Sequence, residues 1–274
     1  MKRVLLTVAY DGTSYHGFQI QKNAPTIAGE LLRAIRDLTG CDAELLGGSR
    51  TDAGVHAFSN KTAFDTDSPI EADKFAYALN ARLPEDIRVT ASREVPGDFH
   101  PLRVPSRKTY EYRILNTEFP DPVSRLHTVH VHVPLDDARM DEASKYLLGE
   151  HDFASFCSAG SQVESTVRTI HEIGVSKEPL RDRSGRMRRD GKRSPSGLLI
   201  IRVTGNGFLY NMVRIIAGTL MEVGRGAMEP EEVLAVLEAH DRDKAGPTAP
   251  PQGLFLVRYE FTDIGNPLEK GAPF

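Results

Sequence analysis

Arg50, Thr51 and Asp52 lie in the string Gly-Gly-Ser-Arg-Thr-Asp-Ala-Gly-Val-His-Ala, residues 47–57. Gly47, Gly48 and Gly54 admit backbone angles that other residues resist, so the stretch reads as a tight, exposed loop. In extended chain, Arg50 and Asp52 point to the same side. A guanidinium beside a carboxylate lowers its pKa by roughly 1–3 units and keeps it ionised. An ionised, oriented Asp52 on a rigid loop can act as a nucleophile or a base. Asp and Gly are also ordinary turn residues, and spacing alone does not separate a site from a turn.

Other segments carry chemistry. Tyr110 and Tyr112 flank Glu111 and share one face of a strand. They are either two core tyrosines or an aromatic face on which a base stacks, worth about 1–3 kcal/mol per base. Gly205-Asn206-Gly207 opens a strand-to-helix passage, as in a dinucleotide fingerprint, but Tyr210 stands where the third glycine belongs. Arg214 lies four residues beyond that point and could brace helix packing. Ala249-Pro250-Pro251-Gln252-Gly253 is a rigid bend that presents Leu254 to a cleft or to the core. Arg181, Arg183, Arg186, Arg188, Arg189, Lys192 and Arg193 crowd a stretch with almost no apolar content. It is a solvated loop or a set of phosphate contacts that add salt-dependent affinity. His127, His130 and His132 could suggest a metal site, but although His130 and His132 share a strand face, no carboxylate or cysteine stands at ligand spacing beside them, so no metal site is expected.

The elements that must hold these residues follow from periodicity. Residues 2–10 alternate as a first strand. Ile27, Leu31, Leu32, Ile35 and Leu38 recur at helical spacing, and Gly40 ends that helix. A strand is expected before the Asp52 loop and another over 57–65. Ser68-Pro69-Ile70-Glu71 reads as a capping box opening a helix to about residue 82, followed by a strand over 87–95. The order is β-α-β-β-α-β, a ferredoxin-like or RRM-like unit. Beyond residue 105, strands are expected over 107–115, 127–133, 164–176, 198–204 and 254–261, with helices over 135–148, 208–223 and 230–239. The boundaries drawn are 1–104, 105–262 and a tail over 263–274.

The chain has 274 residues, 40% of them hydrophobic, which suits two α+β halves with real cores. There is no run of eighteen apolar residues and no signal-peptide pattern, so neither a membrane span nor export is expected. Cys41 and Cys157 are far apart, which points to a reducing cytoplasm. A net charge of −4 means that any RNA contact must come from local basic patches.

The string around Asp52 resembles the signature of the TruA family of tRNA pseudouridine synthases, with Ser49 where many members carry glycine. Three further segments are similar to family motifs in the same order: Tyr110-x-Tyr112, Phe208-x-x-x-Met212-Val213-Arg214 and Ala249-Pro250-Pro251-x-Gly253-Leu254. The resemblance spans roughly residues 3–262. It implies two RRM-like halves with antiparallel sheets joined edge to edge around a central cleft. It implies Asp52 as the catalytic nucleophile, Tyr110 as the ring stacking on the substrate, and Arg214 as the partner of the carboxylate, with Arg50 and Leu254 in support. The implied activity is isomerisation of uridine to pseudouridine at tRNA positions 38 to 40, in the anticodon stem-loop, by a homodimer without a cofactor. A non-catalytic tRNA-binding protein on a tandem RRM-like scaffold, and a dinucleotide-dependent oxidoreductase, are the competing readings.

Overall fold

A computed structural model describes residues 1–160, 163–178, 180 and 196–262. The basic residues Arg181 to Arg193 and the tail over 263–274 lie outside the described residues. The chain divides into two compact units, Met1–Lys108 with the residues from Leu256 onward, and Thr109–Phe255. The division thus falls four residues later than the sequence suggests, and the chain returns to its first unit at the end.

In the first unit, β1 (Lys2–Tyr10) sits between β2 (His56–Thr66) and β3 (Ile87–Val95), antiparallel to both. Val4, Leu6 and Val8 are fully buried on one face of β1, as its alternation requires. Leu5 points to the opposite face, where it joins Ala63, Val95 and Phe99 in a cluster covered by Leu46, Val104 and Phe261. Helix α1 (Ile27–Thr39) starts at Thr26, whose side chain accepts from the Gly29 N–H, and stops at Gly40 with φ 74°. Its buried residues Ile27, Ala28, Leu31, Ala34 and Ile35 form one stripe.

Two expectations fail here. The strand before the Asp52 loop is reduced to a single bridge, Leu46 with Ala63. Gly47 follows at once with φ 75°, and that turn ends any ladder. The Ser68 capping box does not form. Ser68 Oγ only accepts from the Ile70 N–H, and the helical chain begins at a 3₁₀ turn, Ala72–Lys74, continuing as α2 (Phe75–Asn80). Burial decides the start, because Phe75, Ala76 and Leu79 supply the apolar face.

The second unit takes in most of β4 (Ser106–Thr117), then β5 (Val129–Val131), which pairs with β4 in parallel. His132 therefore lies past the strand end. Helix α3 (Asp137–Ser144) is capped by Asp136 and closes in a 3₁₀ turn. An unexpected short strand, β6 (Gly149–Asp152), pairs antiparallel with β7 (Val167–Glu178), and β7 with β8 (Ser196–Gly205). Helices α4 (Met212–Gly224) and α5 (Glu232–Ala239) follow, and α3 packs against β7 and α4. The chain closes with β9 (Leu254–Phe261), whose Tyr259 hydroxyl donates to the Pro101 carbonyl at 2.8 Å in the first unit. The class is mixed α+β with mostly antiparallel pairing. Among the described residues no helix is long and apolar enough to cross a membrane.

Candidate active site

Asp52 lies in the first unit, half-buried, on the loop that leads into β2. The loop is a succession of tight turns. The Thr51 N–H donates to the Ser49 carbonyl at 3.0 Å, a γ-turn with Arg50 at its apex. The Val55 N–H donates to the Asp52 carbonyl at 3.2 Å, with Gly54 at φ 77°, as a type II turn demands of its third residue. Gly47 and Gly48 also take positive φ, as expected of them. The γ-turn overturns one expectation. Arg50 stands exposed at the apex of a turn, so the extended-chain argument that it and Asp52 point to one side does not apply.

A second loop, residues 11–18, backs the first. The Phe18 N–H donates to the Thr51 carbonyl at 3.1 Å, and the Gly54 N–H to the Tyr15 carbonyl at 3.2 Å. The two backbones approach so closely that a Cβ on Gly12 would stand 2.0 Å from the Val55 oxygen. One on Gly17 would stand 2.6 Å from the Thr51 oxygen. Buried His56 accepts the Gly12 N–H at its Nδ1, 3.1 Å away, which ties the base of one loop to the end of the other. Asp52 thus projects from a double layer of backbone, with little freedom below it.

Arg214 lies in the second unit, in the first turn of α4. Asn211 caps that helix in the left-handed conformation, φ 61°, and its side-chain oxygen accepts from Arg214 Nη1 at 2.7 Å. Its amide nitrogen donates to Ser158 Oγ at 2.9 Å. The Ala249 carbonyl accepts from Arg214 Nε at 2.7 Å, and the Ala249 N–H donates to the Arg214 carbonyl at 3.1 Å. Two of the five guanidinium N–H donors are thereby fixed by neighbours in the same unit. The segment bearing Ala249 is pressed onto α4 by glycine contacts, since a Cβ on Gly218 would meet the Pro247 oxygen at 1.7 Å.

The proline bend is part of this assembly. The hydroxyl of fully buried Tyr112 donates to the Pro250 carbonyl at 2.8 Å. Burial pushes the Tyr112 hydroxyl above its usual pKa, against the pull of the Arg214 charge. Leu254 follows a 3₁₀ turn, Pro251–Gly253, and is buried. Tyr110 is buried as well, edge-on to Phe208 with ring centroids 5.1 Å apart. On the opposite face of β4, Glu111 is bracketed by Arg202 and Arg113. The two glycines of the dinucleotide-like string have different surroundings. A Cβ on Gly205 would come within 2.9 Å of the Thr169 oxygen, so packing explains it, while nothing crowds Gly207 more closely than 3.7 Å.

A family model described as tRNA pseudouridine synthase matches residues 6–101 and 143–262. The chain belongs to the tRNA pseudouridine synthase family. Membership makes it an isomerase of the pseudouridine synthase class. A protein named tRNA pseudouridine synthase A from Thermoanaerobacter sp. (strain X514) is 43% identical over 258 residues, covering 94% of this chain and 99% of that one. One of the same name from Acetivibrio thermocellus is 44% identical, covering 94% and 98%. A third, from Halalkalibacterium halodurans, is 42% identical, covering 96% and 94%. In this pseudouridine synthase, the sequence singles out Asp52 and Arg214 as candidates but not the neighbours that hold them. Gly12, Gly17 and Asn211, taken one at a time, carry no local pattern that marks a site, whereas Ala249 lies in the proline bend that the sequence does pick out.

Proposed function

We propose that this enzyme isomerises uridine to pseudouridine at positions 38, 39 and 40 of tRNA, in the anticodon stem-loop, with Asp52 as nucleophile. The observation that carries the reading is a half-buried carboxylate on a loop immobilised from beneath by a second loop. Preorganisation of that kind spares the reaction the cost of fixing its nucleophile.

The target base is stacked in RNA and has to be extruded, at a cost of a few kcal/mol. Stacking on the Tyr110 ring, buried in this conformation and held edge-on by Phe208, offsets much of that once the extruded base has opened a way to its face. Asp52 then adds either to C1′ of the ribose or to C6 of the base. In the first route its oxygen bonds C1′ while the glycosidic electron pair leaves with N1 of uracil. The freed base turns, C5 bonds C1′, the carboxylate departs, C5 loses its proton and N1 gains one. Arg214 supports this by offering a fixed cation to the carboxylate and to the anionic base. Atoms and electrons balance without a redox group, so no cofactor is needed.

A homodimer, with one subunit holding the tRNA body and the other the target loop, fits this reading, as does a cytoplasmic setting. Both cysteines are free thiols, in keeping with it. The test is tritium release from unmodified tRNA labelled at C5 of uridine. Release by the wild type, and none by Asp52→Ala at equal tRNA affinity, supports the proposal. Binding without release by the wild type would leave a non-catalytic tRNA-binding protein.

A further inference from the structure

Asn60 lies on β2, eight residues beyond Asp52, and is fully buried. A buried amide in a strand normally costs stability unless every polar atom is paired. Here each atom is used. Oδ1 accepts the Ser49 N–H at 2.8 Å and the Lys61 N–H at 2.9 Å. Nδ2 donates to the Ser49 carbonyl at 2.9 Å and to the Tyr10 hydroxyl at 3.0 Å. Gripping both the N–H and the C=O of one residue fixes which way the amide faces. The Tyr10 hydroxyl, having accepted from Asn60, can donate to Thr51 Oγ1, 2.7 Å away. Thr51 is the residue before Asp52 and is itself buried. Burial pushes the Tyr10 hydroxyl up to about 12, so it stays a donor through the neutral range.

We infer that Asn60, acting through Ser49 and through the Tyr10–Thr51 bond, is the positioning residue that sets where Asp52 stands during the isomerisation. The inference rests on the reading of Asp52 as the reacting group. Asn60 touches neither Asp52 nor, on this account, the substrate. Its work is to hold the chain on the N-terminal side of Asp52, while the type II turn and the Gly12 contact hold the C-terminal side.

The experiment compares Asn60→Asp and Tyr10→Phe with the wild type in steady-state pseudouridine formation on unmodified tRNA, with thermal unfolding and tRNA binding measured alongside. Asn60→Asp puts an oxygen where Nδ2 faced the Ser49 carbonyl, so the loop is pushed off its seat. A shift of about 1 Å costs on the order of 10²-fold. The expected result is a fall of that size in kcat with KM and tRNA affinity within about twofold. Activity of Asn60→Asp should also rise as pH falls and the new carboxyl protonates, because a protonated acid can again donate. The wild type lacks that limb. Tyr10→Phe keeps the ring and removes one hydroxyl, and should lower kcat by about 5–10-fold at unchanged KM. If Asn60→Asp fails to fold, Tyr10→Phe decides the matter alone. Wild-type kcat in the folded variants overturns the inference, as does a loss confined to KM. Asp52→Ala assayed in parallel separates the two failures. If Asp52→Ala retains activity, the reading of Asp52 is wrong. If it is dead while Tyr10→Phe and Asn60→Asp are unimpaired, only the role of Asn60 is wrong.

Discussion

The two units hold their functional side chains in opposite ways. In the first, the backbone around Asp52 is clamped, by Asn60 from one side and by the loop of Gly12 and Gly17 from the other. In the second, Arg214 stands on a regular helix and the side chain itself is clamped, by the Ala249 carbonyl and the Asn211 amide. The contrast follows from the side chains. A short carboxylate has one rotatable bond before its head group and goes where its backbone goes. A long guanidinium needs its own hydrogen bonds to stay in one rotamer. Substitutions near Asp52 should therefore act through the chain, and those near Arg214 through donors and acceptors.

The largest effect expected from this difference separates Arg214 from Arg50. Arg214→Lys keeps the charge but cannot reproduce the fork that reaches Ala249 and Asn211 together. It should lower kcat/KM on tRNA by about 10²-fold, whereas Arg50→Ala, at an exposed γ-turn apex, should stay within about threefold. Equal losses from the two would erase the distinction drawn here.

Next come the two close backbone approaches, one in each unit. Gly12→Ala and Gly218→Ala both place a methyl against a carbonyl oxygen, at 2.0 and 1.7 Å. Each should destabilise the fold by about 2–3 kcal/mol and lower the melting temperature by roughly 5 °C or more. Gly12→Ala should also reduce kcat in whatever fraction remains folded. A melting temperature within 1–2 °C of wild type would, on that scale of roughly 2–4 °C per kcal/mol, mean that the contact yields easily.

The smallest effect is in acid. For Glu111 in the second unit, burial raises the pKa, but hydrogen bonds from Arg202 and Arg113 outweigh it and leave the carboxyl below its usual 4.5. In the first unit, Asp65 is held below its usual 3.8 by the Arg3 hydrogen bond and charge, against desolvation. A carboxyl whose folded pKa is depressed stabilises the fold above its unfolded pKa and loses that contribution as pH falls through the folded one. Stability should therefore decline below about pH 4.5. Glu111→Gln and Asp65→Asn should each flatten the decline, as read by urea unfolding at stepped pH. Arg202 is largely exposed, so solvent screening keeps the Glu111 effect modest.

The sequence made some of this legible and concealed the rest for physical reasons. Strand β1, helix α1 with its Gly40 stop, and strand β9 lie where periodicity puts them, because one face of each is buried and local pattern and burial agree. The glycines around Asp52 also announced their turns. The extended-chain geometry expected for Arg50 and Asp52 does not hold because a three-residue γ-turn centred on Arg50 breaks the alternation, a detail periodicity ignores. Helix α2 starts later than Ser68 suggests because Phe75 and Leu79, not the cap, decide where the helix has something to bury. Asn60 was invisible since a lone polar residue in a strand reads as solvent-facing. Its partners Ser49 and Tyr10 are eleven and fifty residues away, so no local window contains the network.

The most direct test of the account is single-turnover conversion of unmodified tRNA by Asp52→Asn, with enzyme in excess and all tRNA bound. The substitution preserves size and changes only the charge and nucleophilicity of the carried group. The account predicts that the variant binds tRNA as the wild type does and forms no pseudouridine at positions 38, 39 or 40. Conversion within about tenfold of the wild-type rate would contradict it, since general acid–base assistance alone contributes about 10²–10⁴-fold and a lost nucleophile should cost at least that much.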